Sequence, residues 1–227
     1  MAEVELAALL RPELEELRPY VPHEPPGISV KLDANEAPPS PSPAIRDAVQ
    51  RAIAGVTLER YPDPRALRLK EAIARRTGAR SDELLVGAGS DELIALVLTA
   101  MARPRERAPQ PVVLTPTPTF VMYRVSARGH GHKPVEVPLD ASWDLDATMM
   151  KRAIDMMRPN IVFVASPNNP TGNRVEDERL RDVIGAATGS ALASSAGGGR
   201  GARAGPRASP SATSRFSSAC GVRAHAR

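Results

Sequence analysis

The stretch with the clearest chemical content is Ser166-Pro167-Asn168-Asn169-Pro170-Thr171-Gly172, where two carboxamides stand between prolines and ahead of Thr and Gly. It follows the apolar run Ile161-Val162-Phe163-Val164-Ala165 and precedes a helix-like Val175 to Ala187. A strand that empties into a polar turn at its carboxyl end is where open α/β sheets place their ligands. Turn preference explains Asn, Pro and Gly as residue types. It does not explain why two carboxamides precede Pro170, or why Thr and Gly follow in that order. A second candidate is Gly87-Ala88-Gly89-Ser90-Asp91-Glu92. Small residues admit a ligand to the backbone, and free amides at a helix N-terminus favour phosphate, with Ser90 as N-cap or phosphate ligand. Any strand-turn-helix unit can carry that pattern, so its weight comes from standing upstream of the Asn-containing turn. Phe120, in Pro118-Thr119-Phe120, sets an aromatic at the first turn of a helix, again at a strand's carboxyl end; a core Phe is the competing reading. Tyr61 is held extended and exposed before Pro62, where its hydroxyl could reach a ligand, against the plainer reading of a packing residue.

The elements that must position these residues follow from capping and periodicity. Ser42-Pro43 opens a helix to Ala54, and Asp63-Pro64 opens another that ends at Gly78. Leu84 to Val86 reads as an apolar strand feeding a helix from Asp91 to Ala102. Pro111 to Thr115 reads as a buried strand followed by a helix to about Arg128. His132 to Val137 is a strand, Asp146 to Met157 an amphipathic helix, and Ile161 to Ala165 the next strand. Strand and helix alternating over short links predict an α/β fold with a mainly parallel sheet and flanking helices. Residues 1–30 form an N-terminal arm, in which Leu6, Leu9, Leu10, Leu14 and Leu17 on near-helical spacing suggest a short amphipathic helix or two; such an arm often packs on a dimer partner, and a surface helix is the equal alternative. Residues 31–190 form the main, partial domain, beginning with the polar loop Lys31 to Pro38.

Residues 191–227 differ in kind. Ala, Ser, Gly, Arg and Pro fill 31 of these 37 positions, with no apolar periodicity. Such a segment cannot bury enough surface to offset its ordering entropy and is expected to be disordered. It holds six Arg and no acid, so the formal charge of +4 belongs to the tail, while residues 1–190 carry 24 Lys and Arg against 26 Asp and Glu. The single cysteine, Cys220, excludes a disulfide framework and a Cys-based metal site. Glu3 and Glu5 stand where a signal peptide would carry basic residues, and Leu93 to Ala102 is too short for a membrane span, so a cytoplasmic protein is expected.

Leu32-Asp33-Ala34-Asn35-Glu36, Tyr61-Pro62-Asp63-Pro64, Gly89-Ser90-Asp91-Glu92, Pro118-Thr119-Phe120 through Ala127, and the Asn169-Pro170-Thr171-Gly172 turn, in this order and spacing, resemble the histidinol-phosphate aminotransferases, fold-type I enzymes that use pyridoxal 5'-phosphate. The resemblance covers about residues 10 to 190. It implies transfer of an amino group from histidinol phosphate to 2-oxoglutarate, giving imidazole-acetol phosphate and glutamate, by a homodimer. It implies further that Ser90 and Asp91 hold the cofactor phosphate, that Phe120 lies against the pyridine ring, and that Asn169 donates to the ring's 3'-oxygen. By the same resemblance Tyr61 reaches the partner's cofactor phosphate, and Asn35 and Glu36 lie near substrate.

The chain departs from that family after the Asn169 turn. The family's Schiff-base Lys, its Asp for the pyridine nitrogen and its Arg for substrate belong to that later part; here the lysines are Lys31, Lys70, Lys133 and Lys151, all upstream. The expectation is a truncated, inactive chain with no catalytic residue of its own. Its tail reads as GC-rich DNA translated out of frame, and helix faces such as Leu93 to Leu98 would lack their cover. A related aromatic aminotransferase or amino-acid phosphate decarboxylase remains an alternative within the class. Outside it, the alternative is a non-catalytic fragment whose Arg-rich tail contacts nucleic acid, although no aromatics interleave with those arginines.

Overall fold

A computed structural model of the chain describes residues 10–14, 17, 26–27, 41–105, 108–187, 191–195 and 222–225. The arm, apart from a 3-10 turn at Pro12–Leu14, and the Asn35-Glu36 loop lie outside the described residues. The helices are α1 Pro43–Ala54, α2 Leu67–Thr77, α3 Ser90–Ala100, α4 Met122–Gly129, α5 Ala147–Met157 and α6 Asp177–Ala186. The strands are β1 Val112–Thr117, β2 Lys133–Pro138, β3 Ile161–Ala165, β4 Ala191–Ser195 and β5 Val222–His225.

The sheet has the order β2-β1-β3-β4-β5, parallel throughout except for the antiparallel β5. Its two faces follow from the period of two along β3. Ile161, Phe163 and Ala165 pack with Val113 under α3 and α4, together with Ile94, Val97, Leu98, Tyr123 and Ala127. Val162 and Val164 face the other way and pack with Leu114, Met150, Ile154 and Val183 under α5 and α6. The result is a sheet between two helical layers, as the alternation of elements predicts. The expected bare face of α3 is not observed, because Leu93, Ile94, Val97 and Leu98 are all buried.

Two helix starts carry the caps their sequence suggests. The Ser42 hydroxyl caps α1 through the Ile45 amide, and the Asp146 carboxylate caps α5 through the Met149 amide at 2.9 Å. Asp63 accepts from the amides of Leu67 at 2.9 Å and Arg65 at 3.0 Å, and these bonds, Leu67's first, hold its carboxyl below the usual range. The expected start at Pro64 is corrected: α2 begins at Leu67, with Ala66 in the left-handed region as its N-cap and no side-chain capping bond, and residues 63–66 form a turn before it.

One strand expectation is corrected. Leu84 to Val86 is not a strand; a 3-10 turn at Ser81–Glu83 leads into an irregular segment. An apolar run becomes a strand only beside a ladder partner, and no described strand pairs with it. Two short strands at the C-terminal end also join the sheet. Ala191–Ser195 pairs with the whole of β3 in parallel, and Val222–His225 pairs with β4. The exposed main chain of β3 supplies a hydrogen-bonding template that does not depend on large side chains.

His132, between α4 and β2, is a buried polar residue whose Nε2 has no hydrogen-bond partner. Its Nδ1 lies 3.3 Å from the His130 carbonyl. Burial pushes its pKa below the ordinary 6.5, outweighing the carbonyls of His130 and Met101; the nearby His130 ring pushes the same way. The unfolded chain thus binds this proton more readily than the folded one. Stability contributed by neutral His132 is complete above the ordinary histidine value and is lost as pH falls through the depressed folded value. Urea denaturation at pH 8 and pH 5 is expected to show a loss of stability on acidification that His132→Gln diminishes; an identical loss in both proteins would contradict this.

Candidate active site at the β1 and β3 ends

The chain enters β2 on one side of β1, while β3 and β4 lie on the other. The order of strands therefore reverses between β1 and β3, and the crevice at their carboxyl ends is the binding position of an open parallel sheet. The segment after β1 carries Phe120, and the turn after β3 carries Asn168 and Asn169.

Asn168 joins the two. Its side chain is buried, accepts from the Thr119 hydroxyl at 2.8 Å, and donates to the Pro118 carbonyl at 3.0 Å and to Thr171 Oγ1 at 2.8 Å. Its amide donates to the Asn173 carbonyl and its carbonyl accepts from the Gly172 amide, both at 2.8 Å. Gly172, at φ 75°, supplies the left-handed residue that closes the turn. The immediate neighbour of Phe120 is thus bonded to the immediate neighbour of Asn169. Asn169 itself is half-buried at the turn tip, and its side chain has no hydrogen-bond partner among the described residues.

The Phe120 ring is fixed from behind. It meets Tyr123 edge-on at 5.5 Å, and Tyr123 stacks on Phe163 at 4.6 Å with the rings parallel. A row of aromatics therefore runs from the core under α4 to the rim of the crevice. A depression of about 180 Å³ beside Phe120 is lined by Thr117, Thr119, Arg124 and Glu136 among others.

Ser90 is the first residue of α3 and is not its N-cap, a place taken by Gly89 at φ 95° with no side-chain capping bond. The first amides of α3 are thus left without a side-chain cap, and Ser90 is half-buried beside them. Asp91 is exposed in the same turn. The Glu92 carboxylate turns back to accept from the Ala88 amide, and a Cβ on Gly87 would lie 2.6 Å from it, so a side chain there would displace that carboxylate. Tyr61 is fully exposed, as its place before Pro62 implies.

Sequence reasoning noticed the Asn168–Asn169 pair but gave a role only to Asn169. The signal for Asn168 was the doubling itself: one carboxamide is consumed in closing the turn, and the other is left at its tip. A second omission is the loop after β2. Asp140 accepts from Ser142 Oγ at 2.6 Å, from the Ser142 amide at 2.8 Å and from the Asp144 amide at 3.0 Å, and it pairs with Arg179 of α6. The Ser142 hydroxyl, Arg179 and these amides hold its carboxyl far below the usual range. This loop carries Trp143 at φ 63°, and the Trp143 carbonyl accepts from Asn173 Nδ2 at 2.9 Å. Among the described residues no cluster of His, Cys, Asp or Glu is arranged to hold a metal, and no helix is long and apolar enough to cross a membrane.

Residues 28–191 match the family described as aminotransferase class I and II. A histidinol-phosphate aminotransferase of Acidovorax sp. (strain JS42) is 40% identical over 187 residues, covering 82% of this chain and 49% of that protein. One from Thiocapsa roseopersicina is 36% identical over 186 residues, covering 81% of this chain and 95% of that sequence. The chain spans about half the length of several of these relatives, the Acidovorax protein at 49% among them. A crystal structure of histidinol-phosphate aminotransferase from Sinorhizobium meliloti, in complex with pyridoxal 5'-phosphate, superposes with a TM-score of 0.65 over 81% of this chain and 49% of that one, at 23% identity. That likeness shows a shared fold, and the sequence match over residues 28–191 shows the kinship: the chain belongs to the aminotransferase class I and II family.

Proposed function

We propose that this chain forms the cofactor-facing wall of a cytoplasmic histidinol-phosphate aminotransferase, an enzyme that moves the amino group of histidinol phosphate to 2-oxoglutarate. The observation that carries this reading is the Asn168 joint. It holds an aromatic ring whose back is buried and a half-buried carboxamide with no described partner at adjacent strand ends, at the point where the strand order reverses. A planar, phosphorylated, phenolic cofactor calls for those groups: a stacking face, a donor to the phenolic oxygen and an anion site.

The residues present fit pyridoxal 5'-phosphate on that side. Phe120 would stack on the ring, Asn169 would donate to the 3'-oxygen, and the Ser90 hydroxyl with the first amides of α3 would hold the phosphate. At Asp91 the useful group is the backbone amide, because its carboxylate repels a phosphate. Tyr61, fully exposed, would contact a second copy in a homodimer. Bound there, the cofactor supplies an electron sink for amino-group transfer.

What this chain's residues would do is stack, orient and anchor; neither Lys133 nor Lys151 lies near the crevice as a nucleophile would. Lys151 is bonded to Asp182 between α5 and α6, on the far layer of the sheet from Phe120, and Lys133 begins the edge strand at its amino end. The chain as given is therefore proposed to bind the cofactor non-covalently and not to turn over. Borohydride treatment with pyridoxal 5'-phosphate, followed by peptide mass mapping, is expected to find no uniquely labelled lysine. A single stoichiometric adduct on Lys31, Lys70, Lys133 or Lys151 would show a nucleophile that this account lacks.

A further inference from the structure

The hydrogen bonds around the turn form one directed series. The Thr119 hydroxyl donates to Asn168 Oδ1 at 2.8 Å, and Asn168 Nδ2 donates to Thr171 Oγ1 at 2.8 Å. The Thr171 hydroxyl donates to Asn173 Oδ1, and Asn173 Nδ2 donates to the Trp143 carbonyl at 2.9 Å. Each side chain between the ends accepts once and passes a donor onward. No carboxamide in the series can rotate by half a turn without placing two donors or two acceptors face to face.

The far end of the series is fixed independently. A tryptophan at φ 63° is in the left-handed region, which a bulky residue adopts only when its surroundings over-determine it. Here Asp140 gathers the Ser142 and Asp144 amides, the Trp143 amide donates to the Asp140 carbonyl at 3.0 Å, and Arg179 donates to the Leu145 carbonyl at 2.8 Å while pairing with Asp140. The Trp143 carbonyl is thus a fixed acceptor supplied by the loop after β2. Thr119, on the segment after β1, is the fixed donor at the other end. The turn after β3 is strung between them, with Asn169 at its tip.

We propose that Thr171 and Asn173 are positioning residues: by tying the Asn169 turn to the rigid Trp143 carbonyl they set the direction of the Asn169 carboxamide toward the phenolic oxygen of the cofactor. The inference rests on the proposed role of Asn169 but concerns different residues. Neither Thr171 nor Asn173 touches the ligand. The effect reaches it through the closed turn, whose closure is reported by the Gly172 amide bonded to the Asn168 carbonyl.

The test uses the full chain with Asn173→Asp, which keeps the acceptor for Thr171 and removes the donor to Trp143. It is paired with Thr171→Val, which breaks the series, and Thr171→Ser, which restores the hydroxyl. Hydrogen exchange at the Gly172 amide, read by NMR without ligand, is expected to quicken about tenfold in Asn173→Asp and Thr171→Val and to stay slow in Thr171→Ser, the change expected for one lost hydrogen bond. With pyridoxal 5'-phosphate added, the first two variants are expected to bind about tenfold more weakly. They are also expected to raise the pH at which the bound ligand's 3'-oxygen ionises, because a misdirected carboxamide stabilises that oxyanion less. Unchanged Gly172 exchange in Asn173→Asp and Thr171→Val overturns the proposal, whether or not ligand binds. Faster exchange with unaltered affinity and ionisation overturns it as well. Failure of the unsubstituted chain to bind the ligand removes the proposed function, and the exchange measurement then decides on the turn alone.

Discussion

Phe163→Ala is expected to lower the folding free energy by about 3–5 kcal/mol, the range for removing a large aromatic from a close-packed core. Phe163 sits at the centre of β3, is 1% exposed, and carries the parallel stack with Tyr123 at 4.6 Å. Truncation removes apolar area from the layer under α3 and α4 and leaves a cavity that the β1–β3 ladder cannot close. It also frees the ring that backs Phe120, so the crevice wall loosens along with the core. Urea denaturation followed by far-ultraviolet circular dichroism gives the loss directly, with Met156→Ala on the exposed side of α5 as control, expected to change stability by less than about 0.5 kcal/mol. A Phe163→Ala protein within about 1 kcal/mol of the unsubstituted chain would mean that this layer is not the packed core described.

The second large effect is expected at Asn168. Asn168→Ala removes the buried side chain that accepts from the half-buried Thr119 hydroxyl and donates to the Pro118 carbonyl and Thr171 Oγ1, a cost of about 1–3 kcal/mol. Asn168→Asp keeps the acceptor for Thr119, loses both donors and introduces a charge at a site 3% exposed, so it is expected to be at least as damaging. The same denaturation measurement applies. The contrast with Asn169→Ala is diagnostic: Asn169 has no described partner, and its removal is expected to leave stability nearly unchanged. If Asn168→Ala and Asn169→Ala proved equally mild, the assignment of one carboxamide to the joint and the other to a ligand would fail.

The architecture was readable in the sequence wherever a local cause fixes it. Ile161 to Ala165 is apolar without interruption because both sheet faces are covered, and β3 has those limits in the structure. Asp146 and Ser42 mark helix starts because their oxygens satisfy amides that would otherwise lack partners. The misjudged strand is one whose state is decided by distant neighbours. Leu84 to Val86 has the composition of a strand and no described strand beside it, whereas Ala191–Ser195 has a poor composition and lies alongside β3. The site was read in part. Asn169 and Phe120 stand out by type and place, whereas nothing in Asp140-Ala141-Ser142-Trp143 announces that a tryptophan will adopt a left-handed conformation and offer its carbonyl to Asn173. That arrangement depends on Arg179, some 39 residues away along the chain.

The central claim, that the crevice between the β1 and β3 ends is a pyridoxal 5'-phosphate wall, is tested most directly by calorimetric titration of that cofactor into the unsubstituted chain, Phe120→Ala, Asn169→Ala and the exposed-surface control Arg152→Gln. The account predicts saturable binding at one site per chain, weakened several-fold or more by each of the first two substitutions and unaffected by the third. Absence of saturable binding, or equal affinity in all four proteins, would contradict it.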